Sequence, residues 1–177
     1  MSLERIAAAL HRVESILKRR PEAGLHGDAP AVARWEGGAR VVSSHPNGAS
    51  VATDLPSELG GTGDAFTPGW LWRAALSSCL ATRIVMAAAV DGIDLGSVEV
   101  QASSRSDVRG LLGMKDDSGV PLSPAPSDVQ LHVRIRAPEA SPERLQALVA
   151  RSQACSPMQI AATRALPIEV SVEVLER

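Results

Sequence analysis

The hydrophobic period changes several times along the chain, and each change predicts an element. In residues 2–20, Leu3, Ile6, Ala7, Leu10, Val13 and Leu17 recur at i, i+3, i+4, i+7 spacing, which predicts an amphipathic helix. Lys18, Arg19 and Arg20 close it, where cations suit the helix dipole. A lone helix has nothing to pack on, so it is expected to dock on the body or on a partner chain. The linker PEAGLHGDAP follows. Residues 31–54 read as short antiparallel strands, AVARWE, ARVVSS and ASVATD, punctuated by Gly37-Gly38 and by the HPNG turn. Residues 55–66, LPSELGGTGDAF, read as a glycine-rich loop.

Residues 68–91 are apolar nearly all the way round, which predicts a helix buried on most sides. Thr67 suits the N-cap, Pro68 the first helical position and Gly92 the stop. Residues 97–104 alternate as a strand, and Asp107 to Pro126 read as a loop rich in Gly, Pro and Ser. Residues 128–136, DVQLHVRIR, alternate strictly, with Val129, Leu131, Val133 and Ile135 on one face. Ser141-Pro142-Glu143 opens a further helix running toward Cys155, and Pro157 starts a short one. Residues 168–175, IEVSVEVL, are expected to close the fold as a last strand. The expectation is one α+β domain over residues 25–177, preceded by a helical arm and linker over residues 1–24.

Composition narrows the function classes. The helix over 68–91 holds a stretch, 70–90, about as long as a membrane span. Arg73 and Arg83 lie within it, so the core helix of a soluble protein is expected, with no membrane partner. The N-terminus carries Glu4, Arg5, His11 and Arg12 in place of a signal peptide's apolar core, and a cytoplasmic location is expected. Three Trp, one Phe and no Tyr, with a net charge of −2, argue against nucleic acid as a partner. The four histidines lack the spacing of a helical zinc site, so no metal is expected.

The two cysteines hold the candidate chemistry. Cys79 sits mid-helix and Cys155 ends a helix ahead of Ser156-Pro157. One reading makes both small core hydrophobes. The other makes them a thiol pair, one sulfur attacking and one resolving, which needs a positive charge near the attacking thiolate. Arg83, one turn beyond Cys79, is a candidate for that charge, or else it snorkels to solvent.

Taken in order, these segments resemble the OsmC/Ohr family. The resemblance rests on Trp35-Glu36-Gly37, SELGG at 57–61, Thr67-Pro68, Ala74-Ala75-Leu76-Ser77-Ser78-Cys79-Leu80-Ala81, Asp107-Val108-Arg109-Gly110, Ala154-Cys155-Ser156-Pro157 and the last alternating segment. It covers roughly residues 31–175 and leaves the first helix outside. It implies an OsmC-like fold: an intertwined homodimer whose antiparallel sheets wrap two long central helices, each bearing a cysteine. It also implies reduction of organic hydroperoxides without a cofactor, Cys79 being peroxidatic and Cys155 resolving, with an external dithiol as reductant. The family's peroxidases carry a Glu straight after the Thr-Pro pair, matched by an Arg from the first strands. Here the Glu position is Gly69. Arg34 and Arg40 are the candidates for the Arg, and Glu58 and Asp64 for a substitute carboxylate. The loss of that Glu motivates an alternative reading, a differently active or non-catalytic dimer that binds a small apolar ligand beside Gly69, Trp70 and Trp72. Trp70 and Trp72 are otherwise expected to be core or interface anchors.

Overall fold

The computed structural model describes residues 2–175. Helix α1 spans Leu3–Arg19, ends on Lys18 and Arg19, and packs along the long helix α2, Pro68–Val90. Its stripe is only partly covered there: Leu10 and Leu17 are half-buried, whereas Val13 and Ile16 stay exposed.

Strands β1 (Val32–Gly37), β2 (Arg40–Ser44) and β3 (Ser50–Thr53) form an antiparallel meander in that order. The two predicted turns fall between them, and Gly37 and Gly38 take the positive φ that the tight β1–β2 connection needs. A second antiparallel pair joins β4 (Ser97–Arg105) to β5 (Ser127–Arg136), with Val98 opposite Ile135 and Val100 opposite Val133. Their alternation puts Val98, Val100, Leu131, Val133 and Ile135 on the face toward the core.

Between β4 and β5 the expected loop holds one short helix, α3 (Val108–Leu111), capped by the Asp107 carboxylate on the Arg109 amide. Gly110 is buried there, and a Cβ on it would meet the Ser123 carbonyl oxygen at 2.3 Å, so the close approach of the two segments requires glycine. Helices α4 (Pro142–Ala154) and α5 (Pro157–Thr163) begin at the two predicted prolines, and Ser141 caps the first through the Arg144 amide. The core gathers Leu80, Ile84 and Ala88 of α2, Ile93, Ala137, and Leu145 and Leu148 of α4. Burying each large side chain contributes about 1.5–3 kcal/mol.

Two expectations change. Within one chain α2 is not sealed on most sides: Leu76, Leu80, Ile84, Ala88 and Ala89 are buried, while Trp70 and Val90 are exposed. It is long and apolar enough to cross a membrane, yet it packs along α1, β4, α4 and α5. Residues 168–175 form no strand. Ile168, Val170, Val172 and Val174 are each more than 80% exposed, because among the described residues no sheet edge lies alongside them to complete the ladder.

Candidate functional site at the flanks of the long helix

Helix α2 presents its candidate residues in two stretches along its length, and Trp72, Leu76, Cys79 and Arg83 share one stripe at i, i+4, i+7, i+11. At the later stretch, the junction of α4 and α5 packs against Cys79 and Arg83. Ser152 and Ser156 are both fully buried there. The Ser156 hydroxyl donates to Cys79 Sγ at 3.3 Å, and the Ser152 hydroxyl donates to the Leu148 carbonyl at 2.8 Å and reaches the Arg83 carbonyl at 3.5 Å. Cys155 lies between these serines as the C-cap of α4, its amide donating to the Ser152 carbonyl. The fold therefore brings the 152–156 segment onto the Cys79 turn. Both thiols are free, Cys79 half-buried and Cys155 exposed. Arg83 runs along its own helix: Nη1 donates to Met86 Sδ at 3.8 Å, and Nε is buried with no hydrogen-bond partner among the described residues.

The other predicted charges gather elsewhere. Arg40 on β2 pairs with Asp64 at 3.0 Å and lies 3.9 Å from Glu36. The Thr62 hydroxyl lies within hydrogen-bond distance of both Asp64 and Asp54 and shares its one proton between them. Asp54 is buried and accepts from the Leu55 and Thr62 amides at 2.7 and 3.1 Å. The Thr62 hydroxyl, then the Thr62 amide, hold the Asp54 carboxyl below its usual range. Of the two candidate loop carboxylates, Asp64 is the one that meets Arg40. Glu58 and Arg34 sit at exposed positions. Among the described residues no hydrogen bond joins Arg40 to Cys79.

The earlier stretch of α2 borders a cavity of about 960 Å³, lined by Gly69, Trp72, Arg73, Leu76 and Leu80 of the helix. Leu55 and Leu59 of the glycine-rich loop, Leu131 and Val133 of β5, and Gln153 and Gln159 of α4 and α5 complete much of the wall. Trp72 faces this cavity. Trp70 instead stacks on Phe66, the ring centroids 4.1 Å apart and the planes 12° from parallel, and lies outside the lining. Cys79 and Cys155 do not line the cavity either.

Sequence reasoning did not single out Ser152, Ser156 or Gln159, and treated Arg73 only as a charge inside an apolar stretch. Ser156 had one visible signal, its place between Cys155 and a helix-starting proline. Arg73 and Gln159 become notable only through what surrounds them.

Antiparallel sheets beside one long helix that bears a half-buried thiol define an α+β thiol protein. The sequence profile of the OsmC-like proteins matches residues 61–171, and the chain belongs to that family. Solved structures share the fold. An organic hydroperoxide resistance protein from Elizabethkingia anophelis is 20% identical, with a TM-score of 0.59, over 78% of this chain and 90% of its own. An OsmC-like protein of unknown function from Vibrio cholerae is 13% identical with a TM-score of 0.62, over 77% of this chain and 94% of its own. An OsmC-like protein from Mycoplasma pneumoniae is 12% identical with a TM-score of 0.63, over 78% and 89%. No curated protein matches.

Proposed function

We propose that the protein reduces organic hydroperoxides through Cys79. The observation that carries this reading is the buried Ser156 hydroxyl donating to Cys79 Sγ at 3.3 Å. A thiolate is the attacking form of cysteine, and an O–H aimed at sulfur stabilises that charge. Family membership supports the chemistry. The Cys79 thiolate attacks the distal oxygen of ROOH and the O–O bond breaks. Sulfur is oxidised to the sulfenic acid, and the alkoxide leaves as ROH with the proton that the Cys79 thiol gave up on ionising. The Cys155 thiol then attacks the sulfenic sulfur, forming the disulfide and releasing water. An external dithiol reduces the disulfide by exchange and is itself oxidised, which restores both thiols. The Arg40–Asp64 pair stands in for an Arg–Glu pair that Gly69 no longer supplies, holding the first strands to the glycine-rich loop.

The test is consumption of an alkyl hydroperoxide by the reduced protein with a dithiol present. Turnover is expected to vanish in Cys79→Ser, and in Cys155→Ser to stall after one equivalent, with a sulfenic acid that dimedone traps. Equal turnover in Cys79→Ser and the parent, or none in the parent, overturns the proposal.

The same reading takes the protein as a homodimer in which residues 168–175 add to a sheet edge of the second copy. Support comes from the alternating, more than 80% exposed Ile168, Val170, Val172 and Val174 and from the 73% exposed Trp35 on edge strand β1. Light scattering is expected to show a dimer for the parent chain and a monomer for Val172→Lys. A monomeric parent at micromolar concentration rejects the assembly. The thiol chemistry takes place in the cytoplasm, where thiols stay reduced.

A further inference from the structure

Helix α1 contributes nothing to the thiol site or to the cavity, and its two sides are unlike. Leu3, Ile6, Leu10 and Leu17 are half-buried, and α1 packs along α2. On the exposed side Arg5, Arg12 and Arg19 recur every seven residues, close to two full turns, and so form one row. At the rise of an α-helix that row is about 21 Å long. Ile16 stands four residues after Arg12 and three before Arg19, and Val13 three before Ile16, so both border the arginines. Ile16 is 46% and Val13 52% exposed. Among the described residues none of Arg5, Arg12, Arg19 and Arg20 forms an ion pair, and Glu14 is taken by Lys18 at 2.7 Å. Arg19 Nε donates only to the Ser15 carbonyl of its own helix, at 3.1 Å. Residues 2–20 hold five cations against two carboxylates, a net charge of +3, in a chain whose total is −2, so the rest of the chain carries −5. The basic row is therefore a local feature mounted on an acidic body.

From this juxtaposition we infer that the exposed side of α1 docks on an anionic lipid bilayer, the helix lying in the plane of the surface while still packed on α2. The guanidinium row meets lipid phosphates, and Val13 and Ile16 enter the layer beneath the headgroups. The pairing of charge with apolar side chains selects lipid. A nucleic acid would take the arginines but leave Val13 and Ile16 in water, and α1 has no aromatic ring on which bases could stack. The acidic remainder of the chain is repelled by the same lipids, which confines the contact to α1. A helix that lies on a surface needs no span, so α2 stays within the fold. The docking does not rest on the peroxidase reading. With that reaction, it brings the protein to the layer where apolar hydroperoxides dissolve.

The experiment sediments the full-length reduced protein with vesicles of phosphatidylcholine and phosphatidylglycerol in equal parts, and with vesicles of phosphatidylcholine alone. Binding is expected to the anionic vesicles only, at about 0.1 M salt, and to fall at least tenfold at about 1 M. Arg12→Gln is expected to weaken it about fivefold, and Arg5, Arg12 and Arg19 all changed to Gln about a hundredfold. Ile16→Ser keeps every charge and is expected to weaken binding about twofold to fivefold. Arg164→Gln removes the same charge at an exposed position outside α1 and is expected to change nothing. Cys79→Ser is expected to bind as the parent does, so failure of the peroxidase reading leaves this result standing. No sedimentation with anionic vesicles, equal binding to neutral ones, or equal affinity for duplex DNA or polyglutamate overturns the inference. So does an unaffected triple variant, an unaffected Ile16→Ser, or an equal loss in Arg164→Gln and Arg12→Gln. Circular dichroism of each variant separates a lost surface from a lost fold.

Discussion

The two stretches of α2 are closed in opposite ways. Along Cys79–Arg83, two fully buried serines from the α4–α5 junction reach the helix and hydrogen-bond to it. Along Gly69–Leu76, apolar walls stand apart and leave a cavity. One helix thus offers a sulfur with a defined hydrogen-bond donor and, two turns earlier, a cation that forms no ion pair among the described residues. Small polar residues seal the later stretch because a serine hydroxyl can satisfy itself on a carbonyl or a sulfur at close range. Glycine leaves the earlier one open, because a side chain at position 69 would run beside Arg73.

The sharpest way to break that contrast is to shorten a large side chain on each side. Ile84, fully buried in the packed core, is expected to cost about 2–5 kcal/mol as Ile84→Ala, since its neighbours cannot collapse onto the void. Leu76 is as hidden from solvent but already borders empty space, so Leu76→Ala is expected to cost roughly half as much. Equal losses in urea unfolding would mean that the two stretches are packed alike. A smaller effect belongs to the sealed stretch. Ser156→Ala is expected to slow alkylation of Cys79 by iodoacetamide about twofold to tenfold, the worth of one hydrogen bond. An unchanged rate would show that the hydroxyl does not assist the thiolate.

The smallest effect concerns the loop that walls the cavity through Leu55 and Leu59. Asp54 has its folded value lowered below the ordinary 3.8, chiefly by the Thr62 hydroxyl and amide. A lowered acid adds stability that is fully present above the unfolded value and is lost as pH falls through the folded one. Asp54→Asn is therefore expected to unfold earlier than the parent at neutral pH, and the gap is expected to close below pH 3.8. A gap that persisted at lower pH would assign the effect to packing rather than to the charge.

Most of the elements were legible in the residues themselves. Period-2 alternation marked β4 and β5, Gly-Gly and the HPNG turn marked the meander, and Thr67-Pro68 and Ser141-Pro142 marked two helix starts that the structure places at the same positions. The last alternating segment shows the limit of such reading. Alternation specifies a face, but a strand exists only where a neighbour's backbone offers partners, and residues 168–175 meet none among the described residues. The candidate site divides in the same way. The two cysteines and Gly69 stand out by position, whereas the contact of Arg40 with Asp64 spans a turn and a loop that no local pattern pairs. Ser152, Ser156 and Gln159 gave almost no signal, since serine and glutamine are commonplace on a helix and gain meaning only from what they face.

The sequence by itself determined the fold class, the long apolar helix and the placement of one thiol within it, because these follow from local period, capping and turn chemistry. Only the tertiary structure decided which groups meet across long stretches of chain. It set Ser156 on Cys79, Asp64 on Arg40, and Arg73 beside an open cavity. The reason is physical: local preferences act over a few residues, whereas these contacts are fixed by how sheets and helices pack once the core of Leu80, Ile84 and Leu148 has closed.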